Sequence, residues 1–512
     1  MPFDSLLFHN YSNSDLYQLV GLLEPENNTN FFLRWQEEIV ATVVSIILSF
    51  SPFIVSSRLK NMILKSSLLR WHSSSYLYRL VGLLGQWQDS SFLLQWGEAI
   101  AAILICIILL LAPFVSTSLI GILLFACGAF WALLTLADRL KIGMTPIHLW
   151  VCLYWGFCAI STAFSPVKKA AFSGFIKLSL FLFLFFLAAR ALRSPRLRNW
   201  VMTLYIHVSL LVSGYGIRQE FKGVEQLATW NDPTSQLAQD TRVYSYLGNP
   251  NLLASYLIPA VALSLAAFFV WKRWLPKTLA AIAFLIDTAC LFYTDSRGGW
   301  IAMMALFFAF ALLLRYWWAK YLPTFWRIWF VPLMMGMGAG LIAMAIIFVE
   351  PIRLRVMSIF AGRGDSSNNY RINVWEAVFK MIGDYPLVGI GPGNNAFKQI
   401  YPLYARAGYD NALGAYSIFL EHIVEIGWLG FISFLWLVLG TLQQGLQQLA
   451  RLRENRNLQV FWLMAAIAFT VGLSVHGLFD TVWYRPQVNV LWWLGVAAIA
   501  SFYPVENIQN EG

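Results

Sequence analysis

Residues 278–318 read TLAAIAFLIDTACLFYTDSRGGWIAMMALFFAFALLLRYWW. Two apolar runs, 278–294 and 299–318, are separated only by Asp295-Ser296-Arg297-Gly298. A bilayer core about 30 Å thick needs roughly 20 apolar residues per helix, within a range of about 17–25. Each run has that length, and Gly298 and Gly299 let the backbone reverse within the short connection. The stretch therefore predicts two antiparallel spans joined by a tight turn. The fold class follows: an all-α, polytopic integral membrane protein.

The rest of the 512 residues agrees with that reading. Hydrophobic residues make up 59% and charged residues only 12%. A soluble domain has roughly 45–50% and about 25% respectively, so an ordinary soluble fold is excluded. Apolar runs recur near 39–57, 100–116, 119–136, 147–163, 171–192, 200–216 and 252–271, then near 328–349, 417–444, 459–479 and 488–504. With the quoted pair they predict about twelve core spans plus one N-terminal apolar segment. The net charge of +10 is not read as a nucleic-acid signal. Taking 137–146, 190–199, 272–277, 315–327 and 445–458 as cytoplasmic gives 15 Lys/Arg in 53 residues, against 14 in 122 for the opposite loops. That asymmetry orients the chain by the positive-inside rule, with a cytoplasmic C-terminus and an extracytoplasmic 350–416. The five cysteines sit in apolar runs and read as small hydrophobes.

The N-terminus is polar and acidic, unlike a signal peptide. It is a duplication: 16–57 aligns without a gap to 77–118, with 19 of 42 positions identical. The expected organisation is a duplicated segment at 1–60, a basic cytoplasmic linker at 61–99, spans within 100–349, the loop 350–416, C-terminal spans within 417–505 and a tail at 506–512. Residues 39–57 either span the bilayer or lie on its surface, since Ser49, Ser51 and Pro52 interrupt the run.

Several segments at the extracytoplasmic ends hold the candidate residues. Asn249 and Asn251 flank Pro250, which reads as a helix N-cap with proline at the first helical position, or as the lining of a site. Arg297, with Asp295 and Ser296 beside it, either snorkels to the interface or forms an anion receptor. Within 350–416, Trp375, Val378, Phe379 and Ile382 recur at helical spacing and predict an amphipathic helix. Arg371 leads its apolar face and needs an anionic partner; Glu376 lies off that face. The glycine-rich 389–394 lacks βαβ context and reads as a rigid turn, not a nucleotide loop. Glu421 and Glu425, with His422, lack a third ligand, so no metal is expected, and no cofactor motif appears. His476 and Asp480 form either a satisfied interfacial pair or a proton-handling one. Lys177 and Asp287 are mid-span charges that either pair or mark a pathway.

Together, Gly248-Asn249-Pro250-Asn251, Ser296-Arg297-Gly298-Gly299, Arg371 with Trp375, and Gly389-Ile390-Gly391-Pro392-Gly393-Asn394 resemble the O-antigen ligase and polymerase superfamily of membrane proteins. Thr145-Pro146-Ile147-His148, 242–247, 365–369 and 476–480 look like its cyanobacterial branch, the inorganic-carbon (bicarbonate) transporter family. The resemblance covers about 75–505. It implies a multi-pass protein of a cyanobacterial cytoplasmic membrane whose partners are the lipid bilayer and a small anion such as bicarbonate. Its alternative ligand is a polyprenyl-diphosphate-linked saccharide; in either case Arg297, Arg371 and Tyr416 are the candidate anion-binding residues. An accessory role in carbon uptake is a third reading. Where the ligases carry a histidine this chain has Tyr416, and a phenol with an ordinary pKa of about 10 is a poor base. His422, six residues on, lies about 240° around the helix and does not substitute for it. The reading expects anion transport, with glycosyl transfer as the alternative.

Overall fold

The computed structural model describes residues 91–138, 144–224 and 242–503, all within one unit spanning 81–512. The segment 1–60 read as a duplication, the run at 39–57, most of the linker 61–99 and the tail 506–512 lie outside the described residues. After a single turn at Phe92–Gln95, the helices are α1 Gly97–Leu111, α2 Thr117–Ala137, α3 Pro146–Phe164, α4 Lys168–Ala191 and α5 Pro195–Lys222. Next come α6 Pro250–Val270, α7 Trp274–Tyr293, α8 Arg297–Trp318, α9 Thr324–Phe348 and α10 Glu350–Phe360. The chain continues with α11 Ser366–Asp384, α12 Asn394–Ile400, α13 Ile418–Glu454, α14 Val460–His476 and α15 Pro486–Ser501. Nine of them are long and apolar enough to cross a membrane, and the described residues form no strand. The runs predicted near 100–116, 459–479 and 488–504 form shorter helices, α1, α14 and α15.

Burial ranks the helices. In α6, 83% of the most apolar window is inside the protein. It is flanked by α7 and α14, and α14 also packs on α8. Around this centre α15 packs on α4, α13 on α3, α4 on α2 and α5 on α7. Among the described residues of the α9 window none is buried, so their apolar side chains are available to lipid.

The quoted hairpin forms as read: α7 ends at Tyr293 and α8 begins at Arg297. Ser296 caps α8, accepting a hydrogen bond from Gly299 N at 3.2 Å, and Asp295 takes a left-handed φ of 52°. Asn249 caps α6 by accepting from Leu252 N at 3.1 Å, with Pro250 at the first helical position. Asn249→Ala removes that acceptor and should lower stability by about 1 kcal/mol. Denaturation of the purified variant measures this; an unchanged midpoint would contradict the assigned role.

The run 417–444 is not one uninterrupted helix. Within α13, Gly427 adopts φ 66° and ψ −179°, which breaks the helical hydrogen-bond ladder. A break in apolar surroundings requires other donors for the freed carbonyls. The glycine-rich turn supplies them: Ile390 N donates to Val424 O at 2.9 Å and Gly391 N to Glu425 O at 2.8 Å. Ser161 Oγ also donates to Glu425 O at 2.8 Å, and Trp428 N donates back to Pro386 O at 2.8 Å. The approach is close enough to demand glycine, since a Cβ on Gly391 would stand 2.3 Å from Ala171 Cβ. Residues 389–393 thus lock the first half of α13 against α3 and α4.

Candidate anion-binding site

The start of α6, the turn between α7 and α8, helices α10 and α11, and the end of α14 meet at one end of the bundle. They enclose a cavity of about 280 Å³ whose lining includes Arg242, Arg297, Arg355, Arg371, His476 and Asp480. Arg297 is held by Ser358, donating to its carbonyl and hydroxyl oxygens at 3.0 Å each, and by Asp365 Oδ1 at 3.0 Å. Asp365 is itself oriented as the N-cap of α11, accepting from Asn368 N at 2.8 Å. Arg355 donates twice to the Asp295 carbonyl, at 3.0 and 2.7 Å. Arg242 reaches Thr294 O, Asn251 Oδ1 and Asp295 O at 3.3–3.5 Å. The left-handed Asp295 therefore presents its carbonyl to two guanidinium groups.

Arg371 is held more loosely. It donates to Ser367 Oγ at 2.7 Å, stands 3.9 Å from Asp480, and lies 5.9 Å from the centre of the Tyr416 ring. Its Nε is buried with no hydrogen-bond partner. Asp480 accepts from Asn251 Nδ2 at 2.6 Å and from Thr481 N at 2.7 Å. Trp375 Nε1 donates to Ala415 O at 2.9 Å and ties α11 to the segment carrying Tyr416, itself left-handed at φ 49°.

Four guanidinium groups thus share the site with the carboxylates of Asp295, Asp365 and Asp480. Burial, and then the neighbouring Arg355, lower Arg242 to about 9. Burial also lowers Arg355, and it lowers Arg371 despite Asp480. A bound anion would relieve this excess of buried positive charge. Planar guanidinium forks suit phosphate and carboxylate oxygens, so the chemistry of the site fits an oxyanion. Tyr416 is no base here: burial, followed by Tyr370 and Asp480, pushes its phenol above the ordinary range.

A second cavity of about 560 Å³ lies along α3, α4 and α13, with Tyr154, Lys177, Glu421, Glu425, Trp483 and Arg485 in its wall. Glu421 Oε2 is buried without a hydrogen-bond partner. Glu421 Oε2 and Thr481 Oγ1 would each stand 2.9 Å from a Cβ on Gly414, so Glu421 borders the residue after Asp480. His422 is taken up by Tyr154, with Nε2 3.2 Å from the phenol oxygen.

Of the sequence candidates, Arg297, Arg371, Asn251, Ser296, Trp375, His476 and Asp480 line the smaller cavity. Asn249 is a helix cap, Asp295 contributes its carbonyl, and Glu421 faces the larger cavity. The structure departs from the sequence reading at three places and adds a partner at a fourth. Phe379 is 58% exposed, and the inward face of α11 is Val374, Ala377, Val378, Met381 and Ile382. Arg297 pairs with Asp365, a partner from outside its own turn. His476 sits 3.0 Å from Ser255 Oγ, while Asp480 takes Asn251 and Arg371, so the two do not bond directly. Lys177 and Asp287 do not pair: Lys177 faces the larger cavity, and Asp287 is bonded by serines. Arg242 and Arg355 were missed as site residues. In the sequence Arg242 stands out only as part of 242–247, and nothing local to Arg355 separates it from the exposed Arg353.

Fold and site describe a multi-span helical membrane protein with an arginine-lined cavity at one end of its bundle. Residues 280–435 match the family model described as O-Antigen ligase. The match supports the broader O-antigen ligase-related resemblance and lends no support to the bicarbonate-transporter branch. It includes Arg297, Arg355, Arg371 and Tyr416, whereas Arg242, Asn251, His476 and Asp480 lie outside the matched segment. No curated protein matches the chain.

Proposed function

We propose that this protein is an O-antigen ligase-like glycosyltransferase acting on a polyprenyl-diphosphate-linked saccharide at the extracytoplasmic face of its membrane. The carrying observation is the convergence of Arg242, Arg297, Arg355 and Arg371 at the end of an apolar bundle. Four guanidinium groups suit a diphosphate, and the apolar bundle beneath them suits a lipid-borne one. The family match over 280–435 supports the same reading.

In this reading the arginines hold the diphosphate, and the acceptor enters through the larger cavity. Its hydroxyl oxygen bonds to the anomeric carbon as the bond from that carbon to the phosphate oxygen breaks. The departing electron pair goes to the diphosphate, whose growing charge the guanidinium groups stabilise. The hydroxyl proton passes to the Glu421 carboxylate, which faces the larger cavity and borders Thr481. Tyr416 positions Arg371 and takes no proton.

Purified protein in liposomes, given a labelled polyprenyl-diphosphate saccharide and a mixed glycan acceptor, should release polyprenyl diphosphate and label the acceptor. Arg297→Ala should abolish both. Intact donor, together with uptake of labelled bicarbonate above empty liposomes, would sink this reading.

A further inference from the structure

Asp287 lies in α7, and its residue is completely buried. Three serine hydroxyls from two other helices surround its carboxylate. Ser213 Oγ of α5 is 2.6 Å from Oδ1, while Ser209 Oγ of α5 and Ser264 Oγ of α6 are 3.1 and 3.4 Å from Oδ2. Tyr205, Tyr256 and Cys290 complete the titratable surroundings. Among the described residues no Lys, Arg or His pairs with it.

The two carboxylate oxygens are unequally served. Ser213 gives Oδ1 a short bond. On the Oδ2 side, Ser209 has one proton for two acceptors, because its Oγ also lies 2.9 Å from the Ile206 carbonyl. When that proton goes to Ile206, two lone-pair-bearing oxygens face each other 3.1 Å apart. The Tyr256 hydroxyl beside them is buried with no partner, since Tyr205 donates to the Tyr256 carbonyl instead. An ionised carboxylate so deep in an apolar bundle is costly without a counter-charge.

We propose that Asp287, Ser209, Ser213 and Ser264 form a sodium-ion site joining α5, α6 and α7. The donor set is all oxygen, which suits a hard cation. It carries a single formal negative charge, which matches a monovalent ion better than a divalent one. The oxygens crowd too closely to admit a hydrated ion, which favours the smaller alkali cation over potassium. On binding, the serine hydroxyls turn their lone pairs inward, and no covalent bond changes. The site does not depend on which anion the arginine pocket takes.

The test is the melting temperature of the purified full chain in detergent, in sodium, potassium and N-methylglucamine chlorides at constant ionic strength and pH. The midpoint should rise progressively with sodium and stay flat with the other two. Asp287→Asn, which keeps the shape, should lose the sodium response, and Ser264→Ala should shift it to higher sodium. Should the asparagine variant not fold, the serine variant together with labelled-sodium binding to the wild type, expected at one ion per chain, decides the matter. Identical midpoints in all three salts would overturn the proposal and leave Asp287 as a protonated acid. A sodium response undiminished in both variants would also overturn it.

Discussion

Arg371→Ala is expected to lower turnover of a polyprenyl-diphosphate donor by about a hundredfold or more, the scale on which removal of one preorganised transition-state donor acts. Arg371 is the least engaged of the four guanidinium groups, with one firm bond to Ser367 and a buried Nε lacking any partner. Its capacity is therefore left for a ligand, whereas Arg297 and Arg355 are already anchored by protein oxygens. The fold should survive the substitution, because Asp480 keeps Asn251 and Thr481 as donors. Arg371→Lys should recover little activity, since an ammonium is a point charge and cannot fork across two oxygens. Steady-state turnover beside the melting temperature separates the roles. Full activity with a lowered melting temperature would make Arg371 structural.

The second large effect concerns stability. Gly427→Ala would place a Cβ 2.1 Å from Leu387 O at a residue with φ 66°. Backbone strain and a clash with main-chain atoms combine, so a loss of about 3 kcal/mol or more is expected. The seat of the turn 386–391 on α13 would be disturbed with it. Gly214, inside α5 with open space where its Cβ would lie, is the control, and Gly214→Ala should be near neutral. Comparable midpoints for the two variants would contradict the assigned role of the break.

The bundle was legible because apolar runs of span length carry a long, redundant signal. Residues 278–318 alone specify two helices and their turn, and the structure places helix ends at Tyr293 and Arg297. The break at Gly427 was hidden, since a glycine among Glu425, Ile426, Trp428 and Leu429 leaves the apolar run intact. Only the positive φ and the approach of 386–391 reveal it. Arg297 and Arg371 stood out because each sits where an apolar face begins. Arg242 and Arg355 did not: they come from separate segments, and what makes them site residues is the shared Asp295 carbonyl. The predicted face of α11 drifted for a similar reason. Phe379 has helical spacing from Trp375, but the tertiary packing selects Val374 and Met381 in its place. Asp287 was visible as a mid-span charge, while its serine cage required three helices to be in place.

The most direct measurement is equilibrium binding of a short-chain polyprenyl diphosphate to the purified protein and to its Arg297→Ala and Arg371→Ala variants. Saturable binding to the wild type, weakened at least about tenfold in each variant and displaced by inorganic diphosphate but not by bicarbonate, is the expected result. Binding that is unchanged in both variants, or displaced by bicarbonate alone, would contradict a diphosphate-binding arginine pocket.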